Sequence, residues 1–226
     1  IAATYGSVSA VTFITASQFL DIQSITYGGH MAAAMVLMES PAIIIAIYFG
    51  NRASMYDKAK EKKTPTRVLV KDSLKDGAQL LLIGAMVIGF LSGNNGERMM
   101  APFSIDLFKG MLAFFLLDMG LQVAKNIKVL IKKSIVPILY GVFSPPIHAL
   151  IALLIAKFFN IQLGDTILLM VLAASASYIA VPAALKFSIP KANPSLYFGI
   201  SLGITFPINI LIGIPFYTWL AKFFVS

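Results

Sequence analysis

The chain contains no cysteine, so disulfides and thiolate-bound metals are excluded. Its two histidines, His30 and His148, form no His-x-x-x-His pair, and no glycine-rich phosphate-binding loop is present. Charge is scarce as well. Only 12% of residues are Asp, Glu, Lys or Arg, against about 25% in soluble domains. These shortages leave too little for hydrolytic or redox chemistry, and the chain reads as a non-enzyme without a bound cofactor. What fills it instead is apolar: 58% hydrophobic residues and a mean hydropathy of +0.83. The class this implies is an all-α polytopic membrane protein.

Seven apolar segments follow one another, roughly 1–20, 30–50, 78–92, 106–124, 134–157, 166–186 and 194–222. Most approach the ~20 residues that a helix needs to cross a bilayer. The net charge of +8 is not that of a nucleic-acid binder, because the basic residues collect in alternate links. Arg52, Lys58, Lys60, Lys62, Lys63, Arg67, Lys71 and Lys75 lie in 51–77. Lys125, Lys128, Lys132 and Lys133 lie in 125–133, and Lys186 and Lys191 lie beside and within 187–193. The other set of links holds only Arg98, Lys109, Lys157 and Lys222. Lysine- and arginine-rich links stay cytoplasmic. The expected topology in the cell's inner (plasma) membrane therefore has a cytoplasmic linker 51–77 and an external C-terminus.

One short polar phrase occurs twice inside apolar surroundings. It reads Gly6-Ser7-Val8-Ser9-Ala10-Val11-Thr12 near the start and Ala174-Ser175-Ala176-Ser177-Tyr178-Ile179-Ala180 near the end. Ser7 and Ser175, Ser9 and Ser177, and Phe19 and Phe187 share one offset of 168 residues. Each copy precedes a further apolar segment with a proline near its middle, Pro41 or Pro207. Paired, interrupted helices in corresponding positions point to the binding site of a secondary transporter. Where such helices break and cross, N-termini offer N–H groups to an anion, while freed carbonyls and hydroxyls can coordinate sodium. Small-residue packing between helices uses the same residue types without a ligand. The matched repetition favours the site.

If the two phrases correspond, 1–50 are the last two helices of a first repeat and 51–77 is a basic cytoplasmic linker. Residues 78–226 then form a second repeat of five helices. An odd-numbered repeat inserts in opposite orientations, giving inverted five-helix repeats with discontinuous crossing helices. The chain starts at Ile1 inside an apolar segment, so about three helices of the first repeat are expected to be missing.

Further residues carry a likeness to a known family. Gly6-Ser7-Val8-Ser9 is similar to a Gly-x-Val-Ser motif, and Ser40-Pro41-Ala42 stands where that family has Ile-Pro-Ala. Pro146-Ile147-His148, Ala173-Ala174-Ser175-x-Ser177, Pro182 and Ile189-Pro190-x-Ala192-Asn193-Pro194-Ser195-x-Tyr197-x-Gly199 complete the match. On these residues the chain resembles the sodium-dependent bicarbonate transporter family of the cyanobacterial type. The resemblance implies a homotrimer of ten-helix subunits that symports sodium and bicarbonate, with a PII-like cytoplasmic regulator as a partner. It also implies a site containing Ser9 and Thr12 from the first repeat and Ser175 and Ser177 from the second. The chain departs from the pattern at Tyr178, where family members carry an acidic residue, and at Ala180 and Ala184.

The candidate binding set is Ser7, Ser9, Thr12, Glu39, Ser175, Ser177, Tyr178 and Asn209, with sodium coordinated through Ser9, Thr12 and Ser177. Intramembrane ionisable residues are costly and usually functional. Glu39 beside Pro41 reads either as a sodium ligand or proton carrier, or as a hydrogen-bonded carboxylate at the proline break. Asp118 reads as a structural partner to a helix N-terminus or hydroxyl, and His148 as a buried histidine bonded to a neighbouring helix. Asn209, just after Pro207, either contacts substrate or stabilises the kink. Tyr27, Tyr48, Tyr197, Tyr217 and Trp219 read as interfacial anchors. Two alternatives to bicarbonate symport remain open. One is a proton- or sodium-coupled carrier of another small carboxylate; the other is a non-transporting scaffold or sensor whose linker 51–77 binds a soluble regulator.

Overall fold

The computed structural model describes residues 1–39, 77–131, 135–178 and 199–225. The expectations about Pro41, the linker 51–77, Lys132, Lys133, Tyr48 and the run from Ile179 to Tyr197 lie outside those residues. All regular structure among the described residues is helical. The elements are α1 (Ala2–Gly6), α2 (Ala10–Ile22), α3 (His30–Glu39), α4 (Gly77–Ala101), α5 (Phe108–Ile131), α6 (Ile135–Phe158), α7 (Leu163–Ala174) and α8 (Ser201–Val225). Three stretches are long and apolar enough to cross a bilayer: Ile83–Asp118, Ile135–Phe158 and Ser201–Val225.

The core forms around α7. Past its first turn its sequence is apolar on every face, and a helix of that kind has to be enclosed. Ile167, Leu168, Met170, Val171 and Leu172 are fully buried. Around them pack Phe13, Ala16 and Leu20 from α2, Met31 and Met35 from α3, Ala149 and Leu153 from α6, and Ile214 and Tyr217 from α8. The stretch through α4 and α5 behaves oppositely, with apolar side chains such as Phe90 and Phe114 turned outward.

Local chemistry closes the helices. α2 and α6 end in the same Schellman arrangement, in which Ile25 N–H bonds Leu20 O at 3.0 Å and Ile161 N–H bonds Ala156 O at 2.9 Å. Ser24 (φ 56°) and Asn160 (φ 51°) hold the left-handed position that this closure requires. The loop after α2 then lies on the first turn of α7. Gly28 N–H donates to Asp165 Oδ1 at 2.6 Å, and His30 Nε2 stands 3.3 Å from Asp165 Oδ2. A side chain on Gly164 would meet the Thr26 carbonyl oxygen at 2.1 Å, so only glycine permits the approach.

The same end of the molecule collects the other sparsely basic links. Lys222 Nζ donates to Gln23 Oε1 at 2.8 Å, and Lys157 Nζ lies 5.4 Å from the Phe224 ring centre. A cleft of about 870 Å³ lined by Asp21, Tyr27, Glu97, Ser104 and Lys109 brings the 97–109 segment there too.

Two expectations are corrected, and one link takes a form that its composition did not specify. The link between the segments 78–92 and 106–124 is itself helical. Helix resumes immediately after a kink at Gly93 (φ 52°, ψ −147°) and passes through a π-helical turn at Pro102–Leu107. Pro207 does not break its helix. The N–H it lacks is accommodated by wide π-helical turns at Ser201–Thr205 and Asn209–Gly213, and α8 continues. Tyr217 is no interfacial anchor: it is buried at 1% exposure and its hydroxyl donates to Asn209 Oδ1 at 3.1 Å. Trp219, in contrast, is exposed and stacks between Phe216 and Phe223.

Candidate functional site

The first copy of the polar phrase interrupts a helix, and the second stands at the end of one. The first falls between α1 and α2, where Ser9 is extended (φ −112°, ψ 111°). The second follows the end of α7, where Ser175 is extended (φ −79°, ψ 164°). Serine suits both places because its hydroxyl competes for backbone groups that a helix end leaves unbonded.

The two interruptions touch. Ser9 N–H donates to Ser175 Oγ at 2.9 Å, and Ser177 N–H donates to the Thr4 carbonyl at 2.8 Å. Across 166 residues of sequence, the N-terminus of α2 thus meets the C-terminus of α7. Each end is capped from within. Ser9 Oγ accepts Thr12 N–H at 3.3 Å and the Thr12 hydroxyl at 3.0 Å. Ser175 Oγ donates to Leu172 O at 2.8 Å.

The remaining candidates gather round this contact. Asn209 Nδ2 donates to Ala174 O at 2.8 Å, satisfying a carbonyl at the end of α7, while its own oxygen receives Tyr217. The π-helical turn after Pro207 therefore stands where it can hold the second interruption. Ser7 Oγ donates to the Glu39 carbonyl at 3.3 Å, which brings the end of α3 to the first interruption. Tyr178 packs its ring edge-on against Phe206, 5.1 Å between centres, with Leu202, Val11 and Phe115 in the same cluster. All eight candidates are buried, from 1% exposure at Ser7, Thr12, Ser175 and Asn209 to 8% at Glu39.

His148 and Asp118 stand apart from this junction. His148 is half-buried rather than enclosed and lines a cleft of about 350 Å³ with Tyr5, Ser7 and Met38. Asp118 lies on an exposed stretch of α5. Among the described residues, no group of three or more His, Asp or Glu side chains could hold a metal ion. The oxygen atoms bonded at the junction are hydroxyls and carbonyls, with the Glu39 carboxylate on a residue that borders it, a hard-donor set of the kind sodium accepts.

Sequence reasoning missed a second polar link beside the first interruption. Thr205 Oγ1 donates to Gly141 O at 2.9 Å and lies 2.5 Å from the Tyr5 hydroxyl, which must be the donor because the Thr205 proton is already used. A side chain on Gly141 would meet Ile200 Cγ2 at 2.6 Å, which explains the glycine. Nothing in the local sequence marks this link, since Tyr5 and Thr205 are 200 residues apart. Thr4, also unmarked, is fully buried, and its carbonyl takes the Ser177 N–H.

No curated protein matches the chain. Over residues 1–222 it matches the model of one protein family, and this match takes in every side chain at the junction. The chain belongs to the Na+-dependent bicarbonate transporter superfamily, and with its bilayer-length apolar helices it is a membrane transporter.

Proposed function

We propose that this transporter symports sodium and bicarbonate by alternating access, binding both near the junction of the two helix interruptions. The observation that carries the reading is the pair of hydrogen bonds Ser9 N–H to Ser175 Oγ and Ser177 N–H to Thr4 O. They join the break before α2 to the end of α7 inside a buried, hydroxyl-rich region. Irregular backbone at membrane depth persists only where protein or a water-lined cavity satisfies it, and transporters use such places for their ligands. The 168-residue offset between the phrases supports an inverted repeat around this point. The gathering of the sparsely basic links at one end supports placing that end outside.

The test is uptake of labelled bicarbonate into sealed liposomes with and without an inward sodium gradient. Uptake should require the gradient and should fall at least tenfold in Ser177→Ala. Gradient-independent uptake, or none from folded protein, removes sodium symport of bicarbonate.

A second reading has its own support. Glu39 is buried, and its carbonyl takes the Ser7 hydroxyl at the first interruption. A carboxylate so placed suits a proton- or sodium-coupled carrier of a small carboxylate. Loss of uptake in Glu39→Gln, with steep pH dependence in the parent, favours this carrier over sodium symport.

A further inference from the structure

The cleft of about 870 Å³ lies between α2 and the stretch from α4 to α5, at the end where the sparsely basic links gather. Ile14, Ser17, Gln18 and Asp21 of α2 line one wall. At spacings of three and four they share one face of the helix, and Val11 continues that face by one turn. The opposite wall contains Ser104, Ile105, Phe108 and Lys109. Leu112, Phe115 and Leu116 continue it along α5 at the same helical spacing. The two faces stand apart at their charged end, where Asp21, Glu97 and Lys109 surround the opening. They meet at the other end. Val11, Phe115 and Leu116 pack against one buried cluster of Tyr178, Leu202 and Phe206, and Leu112 is buried as well. Thr12, next to Val11, already belongs to the junction through Ser9. From Val11 to Asp21 the helix rises about 15 Å, half of a hydrocarbon thickness of about 30 Å.

We propose that this cleft is the outer mouth of the transport path, and that Phe115 and Leu116 of α5, closing on Val11 of α2, are the gate between it and the junction. The inference rests on the transport reading above and assigns the way in. Sodium and bicarbonate carry opposite charges, and a mouth of one sign would repel one of them. Asp21 and Glu97 beside Lys109 present both signs. The closure beneath is apolar, and an ion gains no hydrogen bonds there to replace its water, so it passes only when α5 parts from α2. The wall is jointed for such a movement. Gly93 (φ 52°, ψ −147°) breaks the helix one turn before Glu97, in a conformation that favours glycine, and the π-helical turn Pro102–Leu107 follows. Phe114, beside the gate residues on α5, is exposed and takes no part in the closure.

The experiment uses single cysteines in a chain that has none of its own. Gln18→Cys lies in the mouth and Ser9→Cys behind the gate. A small, water-soluble, membrane-impermeant thiol reagent is added outside intact cells, and each rate is taken relative to that of the unfolded chain. Gln18→Cys should react readily. The minor open state of a two-state gate is about 0.1–10% populated, so Ser9→Cys should react about 10 to 1,000 times more slowly. Adding Phe115→Ala and Leu116→Ala should speed Ser9→Cys by about tenfold or more by raising the open fraction. Adding Phe114→Ala should not change it.

Gln18→Cys that reacts only after the membrane is opened overturns the mouth. Ser9→Cys reacting as fast as Gln18→Cys overturns the gate, and this comparison needs no gate variant to fold. A Ser9→Cys rate unmoved by the paired gate substitutions, or raised equally by Phe114→Ala, overturns it too. Labelling requires neither sodium nor bicarbonate. Failure of bicarbonate uptake therefore strikes the transport reading alone, while uniform labelling strikes the gate and leaves that reading in place.

Discussion

Asn209 shows how one amide can hold two helices together at the candidate site. Both of its polar ends are used, one on Ala174 O and the other by Tyr217, in surroundings where no water replaces them. Asn209→Ala leaves a carbonyl and a phenol buried and unpaired, each costing about 1–3 kcal/mol. We expect a loss of about 2–6 kcal/mol in stability on that basis, read by chemical or thermal unfolding. The half-saturating bicarbonate of the folded fraction should stay near the parental value. A parental melting curve with weakened bicarbonate dependence would instead put Asn209 in contact with substrate. The serines and Asn209 were legible in the sequence because polar residues in apolar segments stand out. What each bonds to was not legible, since the partner lies 35 residues away for Asn209 and 166 for Ser9.

The helices themselves were legible where apolar length decides them and illegible where backbone chemistry does. α6 appears within two residues of its expected span because a long apolar run has few other options in a bilayer. The breaks at Ser7–Ser9 and Ser175–Tyr178 were signalled by clustered small and polar residues. The behaviour of Pro207 was not. A proline removes one hydrogen bond, but whether the chain then kinks or widens into π turns depends on neighbours such as Asn209 and Tyr217. The shared closure of α2 and α6 also escaped notice, because Ser24 and Asn160 stand where glycine is the usual signal. Ser24→Gly should raise stability by about 1 kcal/mol by removing the left-handed penalty. Gly164→Ala should lower it by about 1–3 kcal/mol, because the Thr26 carbonyl must give way. Unfolding of the two variants beside the parent checks both signs, and a neutral Gly164→Ala would mean that the loop can lift off α7.

Taken as one body, the protein sorts its links by charge, and the absence of cysteine makes this simple to test. Ser24→Cys, Asn95→Cys and Asn160→Cys, one at a time, should react with a membrane-impermeant thiol reagent added outside the cell. Lys58→Cys should react only after the membrane is opened. Labelling of 24 and 160 from opposite sides would contradict the contacts that bring their loops to one end. The junction also has a consequence for how the chain is made. α7 has twelve residues, which rise about 18 Å against a hydrocarbon thickness of about 30 Å. It cannot span the membrane as an independently inserted helix. Its polar end is completed by Ser9, whose N–H meets Ser175 after a further 166 residues. At about 5–20 residues per second, that is roughly 10–30 s of synthesis. For that interval the ribosome holds out a first half that is inserted but unfinished, and the transporter closes on itself only when its second half arrives.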